Sequence, residues 1–267
     1  MTASTLDAPD LYERLDPHGL LGRIAALPGQ IEDAWRAGTG LSLPDAYRDV
    51  DGVVVLGMGG SGIGGALLQA LAVDLGARVP VSVVRGYRLP GWVNDRTLVL
   101  ASSNSGNTEE TLEAFGSAVG EGARCVAITT GGTLAERARQ AKVPLLTFAW
   151  TGEPRAALGW SFVSLLAICA KLRLLPPLDV QMRSAIAGLR AAATEFGRDV
   201  PEASNPAKQL ARRLCGRLPV FIGAEALAPV AYRWRTQVNE NGKSWAIADE
   251  LPEMNHNAQA GYGLPER

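Results

Sequence analysis

The chain has 267 residues and 28.2 kDa, of which 47% are hydrophobic and 20% charged, which excludes a disordered or fibrous protein and allows one large or two small domains. Its 26 Lys and Arg residues nearly balance its 27 Asp and Glu residues, so the net charge of -1 gives no general attraction to nucleic acid or anionic lipid. We therefore expect no nucleic-acid or membrane partner, and instead a small-molecule site or a protein partner.

Cysteine and histidine are sparse and scattered. Three widely spaced cysteines, at positions 125, 169 and 215, and only two histidines, His18 and His256, offer no zinc-type spacing. We expect no metal site and reduced thiols, as in a cytoplasmic protein. The N-terminal residues are acidic where a secretory signal would be basic and then apolar, so no signal is expected.

The chain opens with a predicted helical segment over residues 1–48. After it, short apolar runs alternate with helical patterns, and because the runs are continuous they fit strands buried on both faces of a sheet. The predicted strands are residues 53–56, 79–84, 97–101, 125–129 and 143–148, with crossover helices at 66–73, 109–119 and 134–141. The predicted fold of residues 49–152 is an α/β domain with a doubly wound parallel sheet.

Beyond residue 152 the pattern becomes helical. Residues 158–174 are nearly all apolar and predict a buried helix, and residues 180–196 predict a second helix, for which burial is not predicted from the sequence. A further α/β start follows at 218–223, with a helix over 229–241 in which Gly242 is expected to take the left-handed position after the helix end. Residues 153–267 are thus interpreted as a helical connection and an incomplete second α/β domain.

A glycine cluster, GMGGSGIGG at residues 57–65, follows the first predicted strand and precedes a helix. Glycines let the backbone turn sharply and approach a ligand closely, and the helix N-terminus favours an anion. The cluster also contains the spacing G-x-G-x-x-G of dinucleotide sites, but Arg85 stands where such a site prefers an acidic residue. An NADP oxidoreductase, with Arg85 on the 2′-phosphate, therefore stays a fallback hypothesis.

A second polar cluster, SSNSGNT at residues 102–108, lies between the third predicted strand and a helix. Its hydroxyls and backbone N–H groups could surround a phosphate monoester at the positive end of the helix. The alternative is a simple helix cap, with Asn107 or Thr108 capping and Glu110 closing a capping box. Two such loops at the carboxyl ends of strands favour ligand binding, because open α/β sheets bind ligands there.

These two clusters together resemble a sugar isomerase (SIS) domain. Three later segments narrow the resemblance to the bifunctional phosphoglucose/phosphomannose isomerases: EPRAALG at 153–159, NENGK at 239–243 and PEMNHN at 252–257. The resemblance covers roughly residues 50–260. It implies a SIS fold, a hexose 6-phosphate substrate, no cofactor, and a homodimer whose sites are shared between subunits.

The resemblance also implies a role for each matching residue. The reaction would be a metal-free isomerisation of glucose 6-phosphate, and of mannose 6-phosphate, to fructose 6-phosphate through a cis-enediol. Glu240 would move the proton between C2 and C1, His256 would assist ring opening, and Arg155 would stabilise the developing negative charge. The substrate-binding residues would be Ser103, Ser105 and Thr108 on the phosphate and Gly59, Gly60 and Ser61 along the sugar.

Each catalytic candidate also has an ordinary interpretation. Glu240 can be a solvated residue in a last helical turn, Arg155 a surface residue, and His256 a turn-capping residue. The family also continues past the histidine motif to a lysine, whereas this sequence stops at Arg267, so we expect a C-terminally shortened member or a partial chain. A noncatalytic sugar-phosphate-binding SIS protein therefore stays the alternative to the isomerase.

Overall fold

The computed structural model describes residues 6–261, and its first elements are helical. They are α1 (Pro9–Leu15), α2 (Leu20–Ala25), α3 (Leu27–Gly40) and a 3₁₀ turn, Asp45–Arg48. α3 buries Ile31 and Ala34 in the same core cluster as the sheet. The helical N-terminal region therefore packs against the α/β part of the protein.

Five parallel strands form the main sheet, in the spatial order β2-β1-β3-β4-β5. The strands are β1 (Gly52–Leu56), β2 (Val81–Val84), β3 (Thr97–Ser103), β4 (Arg124–Thr129) and β5 (Leu145–Thr147). Helices α4 (Gly59–Asp74), α5 (Glu109–Gly120) and α6 (Gly132–Gln140) follow β1, β3 and β4. The predicted doubly wound parallel sheet is confirmed.

Both faces of the sheet are covered by helices. In β1, Val53 and Val55 join the core cluster that includes α3 and α4, whereas Val54 and Leu56 join the cluster that includes α5 and α6. This division follows from the strand geometry, because successive side chains point to opposite faces. Every residue of β1 and β3 is buried, which explains why these strands are continuous apolar runs.

The apolar segment after the sheet forms the predicted buried helix. A π-helical stretch, Gly159–Val163, leads into α7 (Ser164–Lys171), and α8 (Asp179–Glu195) follows. Six of the eight residues of α7 are buried, and the helix packs against α3. None of the helices within residues 6–261 combines the length and apolar character that a membrane span requires.

The last elements form a small second α/β unit. They are α9 (Pro206–Leu214), β6 (Val220–Ala224), α10 (Ala228–Gly242) and β7 (Ile247–Leu251). β6 and β7 pair in parallel, and α10 covers one face of the pair, where the rings of Phe221 and Trp234 lie 5.4 Å apart. On the opposite face Val220, Ile222 and Ile247 are exposed. The unit is therefore a two-stranded sheet with one covered face.

The end of α10 differs from the prediction. Gly242 stays within the helix, and Lys243, with φ 51°, takes the left-handed conformation. The ammonium group of Lys243 donates to the backbone carbonyl of Glu240 at 2.5 Å. The lysine thus satisfies a carbonyl at the end of the helix that has no partner in the next turn, as basic residues commonly do at this position.

Candidate functional site

The two polar loops meet at one edge of the main sheet. β1 and β3 are neighbouring parallel strands, so the loops that follow them, residues 57–58 and 104–108, leave the sheet side by side. A Cβ placed on Gly57 would lie 3.0 Å from the carbonyl oxygen of Ser102, which shows how closely the loops approach. This is also the point where the strand order reverses, the position at which open α/β sheets bind ligands.

The hydroxyl groups of the serine-rich loop face one another instead of capping the helix. Thr108 occupies the N-cap position of α5, yet its side chain makes no capping hydrogen bond. Its hydroxyl lies 3.0 Å from that of Ser103, which also accepts a hydrogen bond from the N–H of Gly106 at 3.1 Å. Ser105 is exposed and accepts from the N–H of Asn107 at 3.2 Å. The helix-cap alternative is therefore not supported at Thr108, and its hydroxyl is free of a capping role.

The loop between β4 and α6 supports the serine-rich loop from behind. Thr130 donates to the carbonyl of Asn104 through both its N–H (3.1 Å) and its hydroxyl (2.7 Å). The N–H of Leu134 donates to the carbonyl of Gly106 at 2.9 Å. Gly106 has φ 70°, and a Cβ there would lie 1.9 Å from the carbonyl oxygen of Gly131. Only glycine fits this position.

The glycine cluster brings α4 against the segment that carries Arg155. A Cβ on Gly60 would lie 2.8 Å from the carbonyl oxygen of Pro154 and 3.2 Å from the N of Arg155. Ser61 is buried and Gly59 is exposed at the start of the helix. The absence of a side chain at residue 60 thus lets the Arg155 segment lie directly on the N-terminus of α4.

Arg155 meets the end of α10 across this junction. Its Nη1 lies 3.4 Å from a carboxylate oxygen of Glu240, and its Nε donates to Oδ1 of Asn241 at 2.6 Å. The side chain of Arg155 is 22% exposed and that of Glu240 is 49% exposed. The structure therefore places a cation beside the predicted base, with solvent access to both.

The N-terminal region holds the backbone on both sides of Arg155. Gln30 is buried, donates through Nε2 to the carbonyl of Ala156 at 3.1 Å and accepts at Oε1 from the N–H of Gly159 at 2.6 Å. The carboxylate of Glu153 forms a 2.6 Å ion pair with Arg23. Hydrogen bonding to its own backbone lowers the pKa of Glu153, and Arg23 contributes to the shift. Glu153 therefore stays ionised at neutral pH.

A second arginine, Arg233 of α10, joins the same junction. Its Nη2 donates to the backbone carbonyl of Arg155 at 2.9 Å. Burial lowers the pKa of Arg233, and the negative charge of Glu240 opposes that effect. A lowered arginine pKa still lies well above neutrality, so Arg233 adds positive charge to the junction. Arg155 and Arg233 therefore place two positive charges near the carboxylate of Glu240.

Within the described residues neither His256 nor Arg85 has a hydrogen bond or ion pair with Arg155 or Glu240. The imidazole of His256, in the 3₁₀ turn Glu253–His256 after β7, is exposed and has no hydrogen bond or ion pair within the described chain. Arg85 lies with its Nη2 3.4 Å from the carbonyl of Gly62 and its guanidinium over the ring of Tyr232. In one chain the structure joins Arg155 with Glu240, but it does not join His256 to them.

A separate cleft contains none of the predicted site residues. It has a volume of about 500 Å³, lies between the loop after β2 and α5, and is lined by Tyr87, Leu89 and Glu113, among others. Residues 6–261 contain no group of three or more His, Cys, Asp or Glu side chains placed to hold a metal ion.

Sequence reasoning missed three residues that shape the site, Asn241, Arg233 and Gln30. Asn241 belongs to the NENGK segment, but no role was predicted for it from the sequence. The only hints of a role were its position next to Glu240 and its spacing of four residues from Gln237. Arg233 is one of several arginines in the chain, and Gln30 lies 125 residues before Arg155. Only tertiary contacts reveal them.

Comparison with solved structures defines the class of the protein. The C-terminal domain of glucosamine-fructose-6-phosphate aminotransferase from Francisella tularensis superposes with a TM-score of 0.65 at 18% identity, covering 95% of this chain and 74% of that one. The sequence family described as "Bacterial phospho-glucose isomerase C-terminal SIS domain" matches residues 203–266. The protein is an α/β protein of the SIS-domain class.

Sequence relatives name the family. A bifunctional phosphoglucose/phosphomannose isomerase from Caldicellulosiruptor bescii is 42% identical over 241 residues, which are 90% of this chain and 71% of that protein. A D-glucosamine-6-phosphate 4-epimerase from Sulfolobus acidocaldarius is 32% identical over 217 residues, which are 79% of this chain and 65% of that protein. The chain belongs to the bifunctional phosphoglucose/phosphomannose isomerase family, and it spans about two thirds of the length of these relatives.

Proposed function

We propose that this protein interconverts glucose 6-phosphate, and mannose 6-phosphate, with fructose 6-phosphate. The observation that carries the proposal is the pairing of Arg155 with Glu240 at the sheet edge where the serine-rich and glycine-rich loops meet. A carboxylate and a cation in this arrangement are what proton abstraction next to a carbonyl requires. Membership of the isomerase family supplies the substrate class.

Binding begins at the phosphate. Ser103 and Thr108 already turn their hydroxyls toward each other, and Ser105 is exposed at the N-terminus of α5. These uncharged donors, with the positive end of the helix, hold the phosphate without a lysine or arginine. Gly59, Gly60 and Ser61 line the sugar. The phosphate anchor fixes the carbonyl end of the open sugar near Glu240, which reduces the entropic cost of the reaction.

The chemical step is a proton transfer within the substrate. The carboxylate of Glu240 removes the proton from C2 of the aldose, the C2–H electron pair forms the C1–C2 double bond, and the carbonyl oxygen at C1 takes up negative charge. Arg155 stabilises that oxygen. The proton of the C2 hydroxyl then moves to the oxygen at C1, which leaves the negative charge on the oxygen at C2. Glu240 returns its proton to C1 as that oxygen forms the C2 carbonyl, so the carboxylate is regenerated and no redox partner is needed.

His256 is assigned to ring opening, and we propose that it acts in a homodimer. The imidazole is exposed and makes no hydrogen bond or ion pair with Arg155 or Glu240 within residues 6–261. A second subunit that brings its own His256 to the site would complete the set of catalytic residues with Arg155 and Glu240. The proposed cellular location is the cytoplasm.

Replacing Glu240 tests the proposal. Glu240→Gln removes the base but keeps the size of the side chain, and we expect turnover to fall by about 10² to 10⁴. Binding of fructose 6-phosphate, measured by calorimetry, should remain within a few-fold because the phosphate loop is unchanged. Glu195→Gln, at the exposed end of α8, is the matched control and should keep full activity. Full turnover by Glu240→Gln would reject the mechanism.

A coupled assay separates the alternatives. It is run with both hexose 6-phosphates, with and without a chelator, and with glucosamine 6-phosphate because of the epimerase relative. Thermal stabilisation by sugar phosphates without turnover would identify the noncatalytic binding protein instead. Epimerisation in place of isomerisation would reject the proposed reaction. Stabilisation by NADPH would revive the NADP oxidoreductase hypothesis.

A further inference from the structure

Asn241 links Arg155 to the last turn of α10. Its Oδ1 accepts from Nε of Arg155 at 2.6 Å, and its Nδ2 donates to Oε1 of Gln237, one turn earlier, at 3.1 Å. An arginine has only donors, so the amide oxygen of Asn241 must face the guanidinium. Both ends of the amide are therefore used, and the side chain has one orientation.

The position of this hydrogen bond decides how Arg155 pairs with Glu240. A guanidinium can bind a carboxylate through two parallel N–H groups, and such bidentate pairs are the strong ones. Asn241 occupies Nε, so the edge of the guanidinium that includes Nε is not available to the carboxylate of Glu240. The remaining contact with Glu240 is a single one of 3.4 Å. Within the described residues no hydrogen bond engages Nη2 of Arg155, so an N–H edge stays available.

The backbone of Arg155 is held independently of Asn241. Arg233 bonds the carbonyl of Arg155, and Gln30 bonds the neighbouring carbonyl of Ala156. Removing the amide of Asn241 therefore frees the side chain of Arg155 without releasing the segment that carries it. This separation makes a specific role for Asn241 measurable.

We propose that Asn241 is a positioning residue that holds the guanidinium of Arg155 toward the substrate oxygen and prevents a side-on bidentate pair, through Nε, with Glu240. The inference rests on the proposed isomerase function. Asn241 itself touches neither substrate nor the reacting atoms. Its effect passes entirely through Arg155, and this makes the inference testable with paired variants.

The kinetic test compares two substitutions at one position. Asn241→Leu removes the acceptor and should lower kcat by about 10- to 100-fold while KM changes by less than about 2-fold, because misplacing a catalytic group costs rate more than phosphate binding. Asn241→Asp keeps an acceptor for Nε and should restore kcat to within about 5-fold of wild type. Gln181→Leu, an exposed amide of α8, is the control and should be unchanged.

A double variant identifies the path of the effect. If Asn241 acts through Arg155, then Asn241→Leu should cause no further loss in an Arg155→Ala background, since residues that act as a unit are not additive. Full additivity of the two losses would overturn the inference. Equal loss in Asn241→Leu and Asn241→Asp would overturn it as well, because it would indicate a general effect of substitution.

A spectroscopic readout does not depend on activity. The Nε–H signal of Arg155 in a ¹⁵N spectrum, assigned by its loss in Arg155→Ala, should shift and exchange faster in Asn241→Leu and be restored in Asn241→Asp. An unchanged signal in Asn241→Leu would overturn the inference. A wild-type protein without turnover would reject the proposed function, whereas a shifted Nε–H signal would still support the hydrogen bond to Asn241.

Discussion

Replacing Gly106 by alanine should damage both the stability of the protein and its phosphate loop. Gly106 has φ 70°, a conformation that costs an L-residue about 1–2 kcal/mol. The new Cβ would also stand 1.9 Å from the carbonyl oxygen of Gly131 and 2.8 Å from the hydroxyl of Thr129. The carbonyl carbon of Gly131 would lie 2.9 Å away as well, so the clash is with backbone and the loop after β4 must move.

That movement breaks hydrogen bonds that tie the two loops together. The N–H of Leu134 donates to the carbonyl of Gly106, and the N–H of Thr130 donates to the carbonyl of Asn104. Each bond contributes about 1 kcal/mol net. With the backbone strain, Gly106→Ala should lower the free energy of unfolding by about 3–4 kcal/mol. Affinity for fructose 6-phosphate should fall about 10-fold or more, since misplaced N–H groups and hydroxyls no longer surround the phosphate.

The assay is urea denaturation followed by circular dichroism, with calorimetry for sugar-phosphate binding. Gly188→Ala provides the matched control, because Gly188 lies in the middle of α8 and a Cβ there would meet nothing within 4 Å. The control should gain about 0.5–1 kcal/mol, since glycine disfavours a helix interior. The same chemical change therefore has opposite signs at the two positions. A Gly106→Ala protein as stable as wild type would refute the loop argument.

Two further predictions concern thiols and pH. Burial raises the pKa of Cys125 and of Cys169 to about 12, whereas Cys215 is exposed, so Ellman's reagent at pH 8 should find one fast thiol in the native protein and three after unfolding. A second fast thiol would contradict the packing of the core. The hydrogen bond from Lys208 lowers the pKa of Asp7 below its usual 3.8, so the contact stabilises α1 above about pH 3.8 and is lost as the pH falls through the lowered pKa. The amide exchange rate of residues 6–15, corrected for its intrinsic pH dependence, should therefore rise at low pH in the wild type. In Asp7→Asn the faster exchange should be seen already at pH 6. Equal protection in Asp7→Asn and wild type would contradict this role of Asp7.

The strands of the main sheet could be predicted from the sequence because the burial of a strand determines the residue types within that strand. A strand buried on both faces is expected to be a continuous apolar run, and residues 53–56 and 97–101, which lie in the fully buried strands β1 and β3, follow this pattern closely. The end of α10 shows the limit of such rules. A glycine stood at the expected position, yet Lys243 took the left-handed conformation because its own side chain could bond the carbonyl of Glu240.

The sequence alone determined the parallel α/β sheet, the two polar loops and the residue types available for chemistry, because each depends on neighbours within a few positions. The tertiary structure alone decided that Arg155 meets Glu240, that Asn241 occupies the Nε edge of that arginine, and that His256 bonds neither residue within the described part of the chain. The two contacts of Arg155 join residues more than eighty positions apart. They follow from how α10 packs against α4 and the Arg155 segment, and side-chain geometry at such a junction has no signature in local spacing.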